Sequence, residues 1–206
     1  MVKKIKAVPG LDYSPVVGED ENLSFGVTQA DPQAKVPMCA EAVVFRRLFP
    51  VQRPDLYAVP WRNPTCEKLD VLLPPGASEV LMDAQLLCRT YDQQCFANIR
   101  DLVIMINLRF PEVDQVAGGM RLHEAWELAR GFAMKSLVEE RGLAVVQVLH
   151  VPARAARPGP AHVHLLAPAR ALLPSGFGHF ARPLASDEGR ALMDAEWAAW
   201  RAGHGH

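Results

Sequence analysis

The stretch that decides the fold covers residues 150–180, HVPARAARPGPAHVHLLAPARALLPSGFGHF, and holds four of the seven histidines. His162 and His164 lie in an apolar run, AHVHLLAPA, that is typical of a β-strand. Side chains two positions apart in a strand point to the same face, about 6.5 Å apart along the chain, so these imidazoles can converge. His150 ends the preceding apolar run LAVVQVLHV, which predicts a second strand. If the loop 152–160 returns the chain antiparallel, His150 faces the pair.

Three converging imidazoles predict a metal site. Neutral imidazole is a common ligand of divalent metals, and three such ligands with open coordination positions are typical of a catalytic ion rather than a structural one. A plainer interpretation stays open, because His-x-His is also common on the polar face of an edge strand. We predict His150, His162 and His164 as metal ligands, with a solvated strand face as the alternative.

Composition and charge give no global sign of nucleic-acid binding. The chain has 206 residues, half of them apolar, and a formal net charge of −1, which fits one domain with a substantial core. Residues 146–182 contain no acidic side chain, whereas Arg154, Arg157, Arg170 and Arg182 lie among them. A local basic patch of this kind favours phosphate binding, and a solvated loop that happens to carry arginines is the alternative.

The cysteines and the apolar segments bear on the compartment. The four cysteines show no C-x-x-C spacing, which favours reduced thiols in a cytoplasmic protein. Cys88 and Cys95 lie two turns apart on a predicted helix, too far for a disulfide. The beginning of the chain, MVKKIKAVPGLDYSP, breaks off in Pro and Gly before any apolar core. No apolar run reaches the length of a membrane span, so we expect no membrane association.

Hydrophobic periodicity predicts the order strand, helix, strand, helix, strand, helix, strand, strand, helix. The predicted strands are 21–29, 67–74, 99–111, 143–151 and 161–172, and the predicted helices are 38–49, 78–96, 119–141 and a last one capped by Ser186. The unbroken apolar run from Leu102 to Ile106 predicts a central strand covered on both faces.

The short connection between the last two strands fixes the fold class. A short loop joins antiparallel strands, whereas parallel strands need a crossover. The predicted class is therefore α/β, a two-layer sandwich with a mostly antiparallel central sheet and helices. Residues 1–21 are expected to form a flexible arm, 22–202 a single domain, and 203–206 a frayed tail.

The histidine stretch resembles the third motif of the MobA/MobL relaxases, plasmid mobilisation proteins of the HUH endonuclease class. In that family a histidine closes an apolar strand and is followed by a loop, an H-x-H doublet, an apolar run, an arginine and a Gly-Phe-Gly turn. Here the same features are His150, the doublet at 162–164, Arg170 and the turn at 176–178. The helix before that strand, ARGFAMKSLVEERG, also resembles the family's, and the clear resemblance covers about 120–182.

The resemblance implies a relaxase-like, RRM-like palm and a specific chemistry. The three histidines would hold Mg²⁺ or Mn²⁺, with Zn²⁺ also compatible, at a scissile phosphate of single-stranded DNA. A tyrosine would attack that phosphate and stay joined to the DNA 5′ end. Arg46, Arg154, Arg157 and Arg170 would guide the strand, and mobilisation accessory proteins would be further partners.

The family's tyrosine is absent from its usual place. The family carries it on the first helix in a stretch similar to S-A-V-A-A-A-A-Y-R, and the matching segment here, MCAEAVVFRR, has Phe45 at that position. Phenylalanine has no oxygen and cannot form a phosphotyrosyl bond. Tyr57 is therefore the candidate catalytic nucleophile, with Tyr13 as the alternative. Two polar features of the family motif are also replaced, by Pro160 and by Pro168-Ala169.

Three functions stay open on the sequence. The first is a metal-dependent nickase of a mobile element, acting on single-stranded DNA by phosphodiester transesterification. The second is a relaxase-derived accessory protein that has lost catalysis and binds DNA or metal. The third is a small metal-dependent hydrolase with a non-nucleic substrate, which would have no salt-sensitive affinity for DNA.

Overall fold

The computed structural model describes residues 22–30, 39–51, 61–95, 99–114, 119–186 and 188–205. The strands among them are β1 (Leu23–Gln29), β2 (Lys68–Leu72), β3 (Asp101–Phe110), β4 (Val145–His150), β5 (Ala161–Pro168), β6 (Arg170–Leu173) and β7 (Gly176–Phe180). The α-helices are α1 (Ala40–Leu48), α2 (Ala84–Gln93), α3 (Leu122–Phe132) and α4 (Glu188–Gly203). A π-helical segment, Ala133–Glu139, continues α3, and short 3-10 turns cover Glu79–Met82, Pro111–Asp114 and Pro152–Ala155.

Five strands form one antiparallel sheet in the order β1-β3-β5-β4-β2, and β6 and β7 form a separate hairpin. The predicted fold class, an α/β sandwich of helices and a mostly antiparallel sheet, is confirmed. The loop after β4 returns the chain as predicted, so that His150 pairs with His162 across the β4–β5 ladder.

Helices cover both faces of this sheet, so the sandwich has three layers where the sequence predicted two. On β3, Val103 and Met105 belong to the core formed with α1 and α2, whereas Ile104 and Ile106 belong to the core formed with α3 and α4. This double coverage explains the continuous apolar run in the sequence. The centre of the sheet is nevertheless β5, and β3 lies between β5 and the edge strand β1.

Contacts at both ends of α1 fix its position over the sheet. The Asp92 carboxylate at the end of α2 accepts the backbone N–H groups of Ala40 and Glu41 at 2.8 and 2.9 Å. These are donors that a helix N-terminus leaves without intrahelical partners. Burial raises the pKa of Asp92. At the other end, the Leu48 carbonyl accepts the Cys66 N–H at 3.0 Å. The last turn of α1 is thereby held beside the histidine strands.

Two local predictions were wrong at their boundaries. The helix predicted from Ser78 is instead a 3-10 turn followed by α2, whose N-cap is Asp83 with its carboxylate accepting the Leu86 N–H at 2.8 Å. The glycine-rich segment predicted as a turn contains β7. Within the described residues, no helix is long and apolar enough to cross a membrane.

Candidate metal centre and nucleic-acid interface

The three predicted histidines meet on one face of the sheet. One nitrogen from each of His150, His162 and His164 lies within 4.8 Å of the other two. The ring centroids are 4.8 to 5.2 Å apart, and each pair of rings is close to perpendicular. The β4–β5 ladder explains this convergence, because the directly paired His150 and His162 project to the same face, and His164 lies two positions along β5 on that face.

Backbone carbonyls fix which nitrogen of two rings is available. His150 Nε2 lies 2.7 Å from the Arg47 carbonyl, and His162 Nδ1 lies 3.0 Å from the Pro160 carbonyl. A carbonyl can only accept, so each of these nitrogens carries the proton. Nδ1 of His150 and Nε2 of His162 are therefore left as lone-pair donors. Outer hydrogen bonds of this kind orient metal ligands in proteins.

The surroundings keep all three histidines neutral. Burial lowers the pKa of His150 to about 4, helped by the charges of His162, Arg47 and Arg157. Burial also lowers the pKa of His162, and it lowers that of His164 well below the ordinary value, with Arg47 and Arg109 adding to both effects. A neutral imidazole is the form that binds a metal, so the three histidines are in the protonation state that metal binding requires.

The donor set fits a divalent transition metal. Nitrogens 4.8 Å apart would lie about 2.8 Å from the centre of their triangle, against about 2.1 Å in a zinc–imidazole bond, so each ring needs to move by less than about 1 Å. Imidazole suits zinc and similar ions better than magnesium, which prefers oxygen ligands at octahedral positions. These three imidazoles could therefore hold a divalent transition-metal ion more readily than Mg²⁺.

A cavity of about 620 Å³ opens over the three histidines, and arginines line it. It includes Arg46, Arg154 and Arg157 of the predicted DNA-binding set, and it adds Arg47. Arg46 and Arg47 lie in the last turn of α1, where cations also suit the helix dipole. The loop after β4 contributes Arg154 and Arg157, both exposed.

The fourth predicted DNA-binding residue, Arg170, lies elsewhere. The residue is only 7% exposed. It donates to the carbonyls of Gly178, Gln94 and Phe177 at 2.6, 2.9 and 2.5 Å. These contacts tie the β6–β7 hairpin to the end of α2. We therefore remove Arg170 from the candidate DNA surface and assign it a structural role.

The position predicted from the family for tyrosine is in the core. Phe45 is 5% exposed, and its ring packs 4.8 Å from that of Phe49 and 5.4 Å from that of Trp61. Tyr91 is fully buried and its hydroxyl donates to the Asp101 carbonyl at 3.1 Å, so it is no nucleophile. The candidate nucleophile Tyr57 and its alternative Tyr13 lie outside the described residues.

Two basic residues at the site were missed by sequence reasoning. Arg109 pairs directly with His162 across the β3–β5 ladder. Arg47 supplies the carbonyl that fixes His150. Strand alternation alone could not find Arg109, because its face depends on which strands pair and in which register. Glu67 also lines the cavity, where it forms an ion pair with Arg154.

No family model and no curated protein sequence matches this chain. Among solved structures, the chain is similar to one from "Molecular Basis of Vancomycin Resistance Transfer in Staphylococcus aureus". The two are 20% identical, the match covers 68% of this chain and 69% of the other, and the TM-score is 0.55. At this identity the likeness shows the fold alone. It supports a relaxase-like fold, the coarser part of the resemblance found in the sequence.

Proposed function

We propose that this chain is a relaxase-like protein of a mobile element, divergent within the MobA/MobL group, that binds single-stranded DNA at its three-histidine metal site. The observation that carries the proposal is the placement of three neutral imidazoles in the wall of an arginine-lined cavity. The similar solved structure was described in connection with vancomycin resistance transfer. For this chain we propose a role in plasmid mobilisation, in the cytoplasm. Accessory mobilisation proteins are the proposed partners.

The cavity supports a phosphate-bearing ligand of nucleotide size. Its volume of about 620 Å³ lies within the range of sites that enclose a small molecule. Arg46, Arg47 and Arg157 can each donate to phosphate oxygens, with the planar fork that suits this geometry. Arg154 shares its charge with Glu67 and contributes less. Together these side chains would hold the DNA backbone against the histidines.

A bound divalent ion would withdraw charge from the scissile phosphate. The histidines would hold that ion, and the arginines would orient the phosphate and balance its charge. In nicking, the hydroxyl oxygen of Tyr57 would form a bond to phosphorus while the bond to the 3′ oxygen breaks. The tyrosine hydroxyl would release its proton to solvent, the departing 3′ oxygen would take one up from solvent, and the 5′ phosphate would stay on the tyrosine.

Tyr57 is proposed as the nucleophile for two reasons. Among the three tyrosines of the chain, Tyr91 is buried with its hydroxyl donating to a carbonyl. Tyr57 also follows Val51, which lines the cavity, by only six positions in the sequence.

The second candidate is a relaxase-derived accessory protein that binds DNA and metal without nicking. The observation in its favour is Phe45, which occupies the family's tyrosine position and packs in an aromatic cluster. Both candidates share the metal and DNA sites, and they differ in whether a covalent adduct forms. The small-hydrolase alternative differs from both because it predicts no DNA affinity.

The first experiment measures Mn²⁺ binding by calorimetry on a chain ending at Ala202, which removes the histidines of the tail. We expect one ion per chain, lost in His162→Ala/His164→Ala and kept in His179→Ala, whose imidazole is exposed and lies outside the cluster. Binding that survives the double substitution, or no binding at all, would contradict the metal site.

The second experiment measures affinity for single-stranded DNA against salt, and covalent adduct formation with Mn²⁺. If the four arginines of the cavity each contact a phosphate, the logarithm of DNA affinity should fall with the logarithm of salt concentration at a slope of about −0.7 per contact. The affinity should then drop on the order of 50-fold between about 50 and 200 mM salt. An adduct lost in Tyr57→Phe and kept in Tyr13→Phe supports the nickase. Salt-sensitive binding without an adduct supports the accessory protein, and salt-insensitive affinity contradicts both.

A further inference from the structure

The three histidines differ in what holds their rings. A backbone carbonyl accepts a hydrogen bond from one ring nitrogen of His150, and another carbonyl accepts one from His162. Within the part of the chain that the structure describes, neither ring nitrogen of His164 has such an acceptor. An acceptor on one nitrogen selects the tautomer of a metal-binding histidine and orients its ring. His164 is therefore the candidate ligand whose tautomer the main chain does not select.

Strand pairing brings one polar side chain to His164. Its direct partners are Val148 on β4 and Asn107 on β3. Directly paired residues of antiparallel strands project to the same face, with their Cβ atoms about 4.5–5.5 Å apart. Val148 is apolar, so of these two neighbours Asn107 alone carries a hydrogen-bonding group beside the His164 ring.

The side-chain oxygen of Asn107 is buried and has no hydrogen-bond partner. Native proteins pair nearly all their buried polar atoms, because an acceptor removed from water and left unpaired is unfavourable. An exception therefore indicates a role beyond packing. Here an acceptor without a donor lies on the strand position directly opposite a histidine without an acceptor.

We propose that Asn107 is the positioning residue of His164, and that its side-chain oxygen accepts the His164 ring N–H when a divalent cation binds the three histidines. This deepens the proposed metal site and rests on it. The nitrogen that faces Asn107 carries the proton, and the other nitrogen keeps its lone pair for the cation. A bound cation makes the ring N–H a stronger donor, and the acceptor makes the imidazole a stronger ligand, so each stabilises the other.

This role makes Asn107 the point at which metal affinity can be changed without touching a ligand. The acceptors of His150 and His162 belong to the main chain, which a substitution does not remove. The acceptor of His164 belongs to a side chain, so it can be deleted or exchanged. Asn107 is not a catalytic residue, because it acts on the cation only through His164.

The test is a Zn²⁺ titration in competition with a chelating dye, on the full chain carrying His204→Ala and His206→Ala so that the tail imidazoles do not compete. Zn²⁺ is chosen because imidazole suits it and because it is diamagnetic. Asn107→Leu removes the acceptor and should weaken Zn²⁺ affinity by about 10- to 100-fold, the range for loss of an outer partner of a ligand. Asn107→Asp keeps an acceptor and should bind Zn²⁺ at least as tightly as the unsubstituted residue.

The stability of the metal-free protein separates positioning from packing. Because the Asn107 oxygen is unpaired there, Asn107→Leu should leave the urea midpoint unchanged or raise it. The matched control is Gln147→Leu, a buried strand amide paired with Leu165, which belongs to the core on the opposite face of the sheet. Gln147 donates to the Trp126 carbonyl, so the control should lower the urea midpoint and leave Zn²⁺ affinity unchanged.

NMR of the Zn²⁺-loaded protein reports on the hydrogen bond itself. A ring N–H held by a buried acceptor exchanges slowly with water and gives its own proton signal. We expect this signal for His164, assigned through its correlations to the ring carbons. It should be lost in Asn107→Leu and kept in Asn107→Asp, while the ring N–H signals of His150 and His162 are kept in both.

Failure of the positioning role and failure of the metal site give different results. Zn²⁺ affinity that is unchanged in Asn107→Leu, or that falls equally in Asn107→Leu and Asn107→Asp, overturns the positioning role and leaves the metal site standing. The unsubstituted protein decides even if a variant does not fold, because a missing His164 ring N–H signal with Zn²⁺ bound also overturns the role. Absence of any Zn²⁺ binding that depends on His162 and His164 removes the metal site, and the role of Asn107 with it.

Discussion

Replacing Arg170 by methionine tests its reassignment from DNA contact to structural clamp. Methionine keeps an unbranched apolar stem and removes the guanidinium with all its donors. Three carbonyls, on Gly178, Gln94 and Phe177, then lose their guanidinium partner. A buried acceptor left without a donor costs about 1–3 kcal/mol. Gly178 is half-buried and Gln94 is exposed, so water can replace the lost donor at both, and the buried Phe177 carbonyl accounts for most of the cost. We expect a total loss of about 2–3 kcal/mol in the free energy of unfolding.

Urea unfolding followed by tryptophan fluorescence measures this loss, with DNA affinity measured on the folded variant. The matched control is Arg157→Met, an exposed side chain in the cavity wall. It should leave the free energy of unfolding within about 0.5 kcal/mol and weaken DNA binding. A loss below about 1 kcal/mol for Arg170→Met, together with DNA affinity reduced as in the control, would refute the structural assignment.

Three further predictions concern stability. Gly189→Ala should cost about 2–3 kcal/mol in the free energy of unfolding, because the added Cβ would lie 2.6 Å from the Leu184 carbonyl oxygen. In the same helix, a Cβ added at Gly203 meets nothing within 4 Å, so Gly203→Ala should leave the free energy of unfolding unchanged. Thermal unfolding of the two variants compares them. Tyr91→Phe should cost about 1 kcal/mol in urea unfolding, since it removes the hydrogen bond to the Asp101 carbonyl, and no measurable loss would contradict that bond's role. The free energy of unfolding of the metal-free protein should fall by about 2 kcal/mol between pH 7 and pH 5 through His150 alone. The pKa of His150 is about 4 in the folded protein, so over this range only the unfolded chain takes up the proton. A urea midpoint in EDTA that does not change with pH would contradict this.

The sequence by itself determined the histidine cluster and most of the element types, although not the β6–β7 hairpin or the 3-10 turn before α2. Period-two alternation in AHVHLLAPA places His162 and His164 on one face whatever strand lies beside them, because a strand fixes this locally. The short loop after His150 fixed the antiparallel pairing that completes the triad. The double coverage of β3 could be read from its unbroken apolar run, although its position in the sheet could not.

Only the tertiary structure decided which charges face that cluster. Arg170 follows the histidine strand directly in sequence, yet it turns into the hairpin contact and is buried there. Arg109 is distant in sequence and meets His162 through strand pairing. Strand register and helix placement depend on contacts between segments far apart in the chain, such as the hydrogen bond from the Ala40 N–H of α1 to the Asp92 carboxylate. A local sequence pattern cannot predict such contacts. The three candidate metal ligands could therefore be predicted from local sequence, whereas the charged residues around them could be identified only from the tertiary structure.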